Sequence, residues 1–459
     1  MNLLLVVPTS PNNRKIIRLI DCSHEAKANY LWHPNDLLII TSLCAPEDTV
    51  VLADATEKGL STQQALANLA GERPDLVIVS LSSTAWEHDL SFFRKTKELF
   101  PGKPTYVLGD IFIEHEYREL ILKECDGIVA NPYLLDLPAM AKNDHSHAAL
   151  PGIVANRDDN PYPTKKHISA KTGVPRHELV LNGNYCFPLA HHFKYATITS
   201  MWGCPFSCSY CPDSNLQPFV RHWEDVITEL GRLQELGVKE LFFFDKTFGF
   251  PLVNAQALSE AMAKRFKFSW SCYFHPQLYN EKLLETMAEA GCHTLIVGID
   301  SANLESLKQF GRNVSKANLE NLITKADSLG MSICADFIIG LPGETEEDVK
   351  RTLSYALSKP LDFASFNIAA PLPGSTIRQT AKETNQFSFG KEGFDSYGRD
   401  GVLASSKISG ERLRRLRRNA TIAFYLRPSY IIRRLKRTTS FEHFANQLRQ
   451  MVSLFKKNN

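Results

Sequence analysis

No stretch of the 459-residue chain approaches the roughly eighteen consecutive apolar residues of a membrane span. The apolar run at residues 3–7 is too short for the core of a signal peptide. A strong net charge is also missing: the formal value is +2. There is no short internal repeat and no low-complexity tract, so solenoid and disordered classes are excluded. Paired C-x2-C units are absent, which removes the common zinc frameworks. Ten cysteines in a large chain without a leader argue for reduced thiols and metal work, not disulfides. The chain is therefore expected to be cytoplasmic.

The length supports more than one domain. Residues 1–150 alternate short apolar runs with helical patterns. Strands are expected at 3–7, 49–53, 76–81, 105–108 and 127–130, with helices at 62–69, 87–100 and 116–123. Such alternation predicts an α/β domain with a doubly wound parallel sheet. Residues 151–191 hold Pro151, Pro161, Pro163 and Pro175 among several Asn and Asp, and read as a linker crossing the surface. From 192 to 385 a second alternation follows. Strands are expected at 195–199, 240–244, 268–272, 294–297, 333–339 and 362–368. Helices fall between them, one of them running from 304 to 310 and on into 316–329. Six units predict a partial (β/α)6 barrel, short of the eight in a closed one.

Residues 386–459 form a basic helical tail. From Lys407 onward fourteen Lys and Arg face two acidic residues. The segment FYLRPSYIIRRLKR (424–437) interleaves aromatics with arginines. Three readings stay open: a solvated helical face, contact with a membrane surface, or binding of nucleic acid or another anion.

The chemistry concentrates in MWGCPFSCSYCPDSN (201–215), where Cys204, Cys208 and Cys211 have the spacing C-x3-C-x2-C. The motif directly follows the first barrel strand, and carboxyl ends of barrel strands are where sites sit. Three thiolates can hold three irons of a cubane and leave the fourth open. A zinc site would want a fourth ligand, for which His222 is the nearest candidate. Inert core cysteines are the third reading. Cys22, Cys44, Cys125, Cys186, Cys272, Cys292 and Cys334 read as core packing, with Cys272 and Cys334 near enough to strand ends to reach a pocket.

This loop resembles the radical S-adenosylmethionine superfamily. The resemblance implies a [4Fe–4S] cluster on Cys204, Cys208 and Cys211 that binds S-adenosylmethionine at its open iron. It also implies a 5′-deoxyadenosyl radical and an electron donor such as flavodoxin or ferredoxin. Tyr210 would then lie against the adenine. FFFDKTFG (242–249) is similar to the segment that holds the methionine amino group, with Asp245 retained and Lys246 where a second Asp is usual. GIDS (298–301) resembles the ribose-binding motif, with Asp300 as its acid. His275 stands where relatives often carry Arg. DFIIGLPGET (336–345) resembles the adenine-side motif, in which Gly340 and Gly343 admit the nucleoside. Taken singly, Asp245, Asp300 and Asp336 could instead cap the helices that follow them.

The N-terminal sheet resembles the cobalamin-binding module of one branch of that family. PTYVLGD (104–110) and ANPY (130–133) stand where relatives carry Gly-rich motifs, and no D-x-H-x-x-G occurs. A domain that has lost cobalamin is the alternative. By resemblance Ser82, Ser83 and Gly109 would line the corrinoid. The tail is similar to that of the hopanoid-processing and anaerobic magnesium-protoporphyrin ester cyclase-like enzymes. This implies methyl transfer or carbon–carbon rearrangement on a small, lipid-like or tetrapyrrole substrate, with peripheral contact at the inner membrane surface and no nucleic-acid partner. Two other functions are weighed: methylthiolation of RNA or protein, and a metal-binding protein that engages nucleic acid without radical chemistry.

Overall fold

The computed structural model describes residues 1–26, 30–142, 150–156, 158–159, 166–384, 407–438 and 440–458. Pro161, Pro163, the 385/386 boundary and the first residues of the tail lie outside them.

Six strands build the first sheet: β1 (Asn2–Val7), β2 (Thr49–Asp54), β3 (Leu76–Ser80), β4 (Thr105–Leu108), β5 (Gly127–Val129) and β6 (Ile153–Val154). Their order is β2-β1-β3-β4-β5-β6, parallel except for β6. Runs such as Leu76–Val79 are buried on both faces, as a sheet covered by helices on each side requires. The covering helices include α1 (Thr62–Leu69), α2 (Trp86–Leu99) and α3 (His115–Ile121). α1 starts where expected because Ser61 and Gln64 form a capping box. The strand order reverses between β1 and β3, the point where open α/β sheets leave a crevice. Here Arg18 enters that crevice. It pairs with Asp89 at 2.7 Å and donates to the Thr9 carbonyl at 2.8 Å.

The second sheet is β7 (Tyr195–Ile198), β8 (Glu240–Phe248), β9 (Ser269–Phe274), β10 (Cys292–Asp300), β11 (Ser332–Ile339) and β12 (Phe363–Ile368). All six are parallel and lie in chain order. Right-handed crossovers with no reversal wind such a sheet in one direction, giving an arc of a barrel. Between the strands run α4 (Trp223–Glu235), α5 (Leu252–Arg265), α6 (Glu281–Glu289), α7 (Lys316–Ser328) and α8 (Glu346–Ser358). The long helix expected from 304 is two helices, Leu304–Lys308 and α7. Gly311, at φ +72°, ends the first, and the break carries Arg312 into the site.

Residues 151–191 do more than cross the surface. β6 closes the edge of the first sheet. Ile168–Ala170 pairs with Phe219–Arg221, and Val180 and Phe187 are buried. An uncovered sheet edge and exposed apolar side chains are both unfavourable, so the connection packs down.

Polar bonds between distant parts of the chain join the segments around the two sheets. Trp202 Nε1 donates to Asp36 at 3.2 Å, and Asn35 donates to Thr199 at 3.0 Å. Arg378 and Glu114 form a buried two-bond pair at 2.5 and 2.7 Å. His33 lies at the same junction, stacked on Tyr195 and bonded through Nδ1 to Thr197 at 3.0 Å. Burial lowers its pKa to about 3, so the folded protein holds it neutral. Its contribution is complete above the ordinary histidine pKa, near 6.5, and is lost as pH falls from there toward 3. The stability difference between wild type and His33→Phe should therefore shrink by about 1.4 kcal/mol per pH unit below pH 6.5. Urea unfolding across that range checks this; a difference independent of pH would contradict it.

The tail packs on the barrel as α9 (Gly410–Tyr425), α10 (Pro428–Arg437) and α11 (Phe441–Asn458). Leu413, Leu416, Ala420 and Phe424 of α9 are buried at helical spacing. Among the described residues no helix is long and apolar enough to cross a membrane.

Candidate active site

The cysteine loop leaves β7 and is fixed at both ends. On β8, Asp245 accepts hydrogen bonds from the Ser200 amide at 2.7 Å, the Met201 amide at 3.1 Å and the Ser200 hydroxyl. Gly203 turns the chain at φ +75°, where a Cβ would lie 2.6 Å from the Gln217 carbonyl. Farther on, Ser209 donates to the Phe310 carbonyl and accepts from Thr376, each at 2.8 Å. Gly311 passes so close beneath that a Cβ would sit 2.6 Å from the Ser207 carbonyl.

Cys204, Cys208 and Cys211 line one cavity of about 380 Å³. It opens between the barrel and Leu19, Asp21, Cys22, His24 and Trp32 of the N-terminal region. Most of the barrel wall comes from alternate strand positions, as the period of two demands: Phe244 and Lys246, Gly298 and Asp300, Asp336 and Ile338; at the end of β9 both Tyr273 and Phe274 line it. A wider depression of about 770 Å³, lined by Asn303, Lys316 and Arg351 among others, contains none of these cysteines.

Beside the cysteines stands a charged cluster. Tyr210 Oη donates to Asp300 Oδ2 at 2.8 Å, and Arg312 Nε approaches the same oxygen at 2.8 Å. Arg312 also reaches the Gly298 carbonyl and lies 4.0 Å from Cys208 Sγ. Asp300 holds φ at +63°, a conformation that costs energy for any residue with a Cβ and tends to mark functional positions. Burial pushes the Cys208 thiol up, against the pull of Arg312. Burial raises Cys211 well above its ordinary value, and Asp213 and the other two cysteines add to it. Three cysteines on one wall, one beside a guanidinium, suit a thiolate-ligated centre. Among the described residues no three Cys, His, Asp or Glu side chains converge as they would about a single metal ion.

His275 stacks on Phe206 of the cysteine loop with ring centroids 3.8 Å apart. Its Nδ1 accepts from the Gln277 amide at 3.1 Å, and burial lowers its pKa to about 2. It is thus neutral, with its proton on Nε2. Lys246 pairs with Asp21 across the cavity and sits 4.1 Å from the centre of the Phe244 ring. Burial alone would lower Lys246, but Asp21 and Asp213 outweigh it and keep the ammonium charged.

Several expected site residues stand elsewhere. Asp245 points away from the cavity because its strand neighbours Phe244 and Lys246 point in. It anchors the cysteine loop instead, with its pKa raised by burial to about 6. Gly340 adopts φ +83° but faces the tail, where a Cβ would lie 2.6 Å from Leu413. Ile338, two residues earlier, reaches the cavity. Ser82 and Ser83 are buried and donate to Asp89 and Asp110 at 2.7 and 2.6 Å. Gly109 lies flat against the Leu81 carbonyl. None of these three presents its side toward the cavity. Cys272 packs in the barrel core. Arg312 and Asp21 escaped sequence reasoning; the Gly-Arg step after a short helix was the available signal for the first, and none existed for the second.

Residues 198–356 match the family model described as Radical SAM superfamily. The chain is 27% identical to an uncharacterized methyltransferase of Pyrococcus horikoshii, over 96% of this chain and 95% of the relative. It is 27% identical to a tRNA-2-methylthio-N(6)-dimethylallyladenosine synthase of Desulforamulus reducens, over 41% of this chain and 45% of that one. Among solved structures, the radical S-adenosylmethionine methyltransferase TsrM from Kitasatospora setae, with cobalamin and a [4Fe–4S] cluster bound, is similar with a TM-score of 0.63. The two share 17% identity over 83% of this chain and 75% of that one. OxsB, a cobalamin-dependent S-adenosylmethionine radical enzyme, has a TM-score of 0.64 at 15% identity, over 99% and 72% of the two chains. The likeness in fold to these two structures extends over 83% and 99% of this chain.

Proposed function

We propose, from the radical SAM domain that residues 198–356 form, that the chain cleaves S-adenosylmethionine reductively and alters an unactivated carbon of a small molecule. Methyl transfer is the favoured outcome; carbon–carbon rearrangement or cyclisation is the variant. The observation that carries this reading is the cavity that holds Cys204, Cys208 and Cys211 next to the Tyr210–Asp300–Arg312 cluster.

Cys204, Cys208 and Cys211 would hold the [4Fe–4S] cluster. A bound cluster supplies one electron to S-adenosylmethionine, and bound cobalamin supplies a methyl carrier. Asp300 offers an acceptor for ribose hydroxyls, and Arg312 holds that carboxylate in position. Ile338 and Gly298 give flat, apolar surface for a nucleoside. His275 contributes a neutral N–H donor. Trp32, Phe244 and Tyr273 add aromatic surface to the same cavity and would keep water from the reacting centre. Lys246 and Asp21 remain as the charged pair that a substrate would meet. A flavodoxin- or ferredoxin-type donor would deliver the electron.

Cobalamin is proposed on the likeness of fold to TsrM and OxsB. Since Ser82, Ser83 and Gly109 are closed off, the corrinoid would lie against Leu19, Asp21, Cys22, His24 and Trp32. Methylthiolation is less well supported. That likeness is confined to 41% of the chain. Cys22 lines the cavity while Cys125 bonds the Gly127 carbonyl beyond the opposite strand ends, so they share no site. The test is an anaerobic absorbance titration of the full-length chain with cobalamin. Saturable micromolar binding, weakened in Trp32→Ala, is expected. No spectral change at any concentration would remove cobalamin from the reading and leave a cluster-only enzyme.

A further inference from the structure

In the tail, α10 and the first half of α11 are docked inside out. In α10 the arginines point inward: Arg433 and Arg437 pair with Asp327 at 2.6 and 2.7 Å, and both also reach Asp362. Arg434 is buried over the Phe363 ring. The opposite face carries Ile431, Ile432 and Leu435, which are 46, 55 and 62% exposed. The helical period of 3.6 residues separates these sets cleanly. The first half of α11, residues 441–450, repeats the inversion. His443 and Asn446 are buried, and Asn446 donates to the carbonyls of Phe187 and Ala190. Phe441, Phe444 and Leu448 face outward at i, i+3 and i+7. α9 is docked conventionally, yet Ile422 and Leu426 are exposed where it leads into α10.

Burying polar faces while leaving Phe, Ile and Leu in water runs against ordinary burial energetics. It is expected only where something else covers the apolar face. The surrounding charge narrows what that is. Arg414, Arg415, Arg418, Lys436 and Arg449 are exposed in these helices, against Glu411 and Glu442 as exposed acids. A symmetric dimer through this face would bring each basic rim against its own copy. An anionic lipid surface satisfies both features, with apolar side chains at the acyl boundary and arginine and lysine at the phosphates.

We propose that α10 and α11 seat the protein on an anionic membrane surface, with Ile431, Ile432, Leu435, Phe441, Phe444 and Leu448 as the inserted residues. The inference stands apart from the chemistry of the cavity.

The test is co-sedimentation of the full-length chain with vesicles of equal parts phosphatidylglycerol and phosphatidylcholine, compared with phosphatidylcholine alone. Wild type should pellet with the anionic vesicles and be released by rising salt. The double variant Ile432→Glu/Leu435→Glu should bind about tenfold more weakly or worse. It should keep its far-ultraviolet circular dichroism and unfolding midpoint, because both residues are exposed. Wild type remaining in the supernatant would overturn the proposal. So would equal binding by wild type and variant, or a concentration-dependent dimer that the variant dissolves while neither form binds vesicles.

Discussion

Cys208→Ala should leave a folded protein that holds almost no iron. Wild type, reconstituted anaerobically, is expected to carry about four irons per chain, and the variant well under one. Cys208 is the most buried of the three cysteines, and Arg312 lies against it. Two remaining thiolates cannot hold three corners of a cubane. Cleavage of S-adenosylmethionine should fall to background with the iron. The fold should survive, since the loop is also held through Asp245, Phe310 and Thr376. Full iron content and undiminished cleavage in the variant would refute the cluster assignment.

Asp245→Ala should also lose iron, by a different route. The carboxylate holds the start of the cysteine loop through three hydrogen bonds and does not line the cavity. Removing it strands the Ser200 and Met201 amides in a buried setting, at a cost of about 2–4 kcal/mol. Iron loading and the urea midpoint should fall together. In the fraction that does load, affinity for S-adenosylmethionine should stay within about twofold of wild type, because no direct contact has gone. Asp245→Asn, which keeps one acceptor oxygen, should recover part of the loading. If Asp245 touched the methionine moiety, loading would be normal and affinity alone would drop. Iron analysis beside equilibrium binding separates the two.

The contrast between Asp245 and Lys246 shows where sequence reasoning reaches its limit. The strand Glu240–Phe248 was legible because an unbroken apolar run at its start can only be a buried strand. Its length was not, because Asp245 and Lys246 interrupt the apolar pattern while their backbone continues in the sheet. Which of the two meets the cavity depends on strand phase, and one residue of phase exchanges the faces. The same parity separates Ile338 from its neighbours, whereas Gly340, of equal parity, lies past the strand end at φ +83° and is turned against the tail. Ser82 and Ser83 would by resemblance line a corrinoid, yet Asp89, seven residues on, and Asp110, on the next unit of the sheet, draw them inward.

The Lys246–Asp21 pair spans 225 residues, and the contact of Arg312 with Cys208 spans 104. Neither has a local sequence signal, since each arises only when two separately predictable pieces meet. The tail makes the point from the other side. Periodicity marks α10 as amphipathic, but which face docks is decided by Asp327 and Asp362 on the barrel. An amphipathic pattern alone would have put the arginines in water.

The central claim is that Cys204, Cys208 and Cys211 hold a redox-active cluster that acts on S-adenosylmethionine in the cavity beside them. Its most direct test is anaerobic reconstitution of the full-length chain, reduction with dithionite, and electron paramagnetic resonance before and after S-adenosylmethionine is added. Appearance of 5′-deoxyadenosine is followed in the same sample. A reduced [4Fe–4S] signal that shifts on addition, with 5′-deoxyadenosine formed, is the predicted result. A chain that takes up zinc in place of iron, or a cluster whose signal ignores S-adenosylmethionine and yields no 5′-deoxyadenosine, would contradict it.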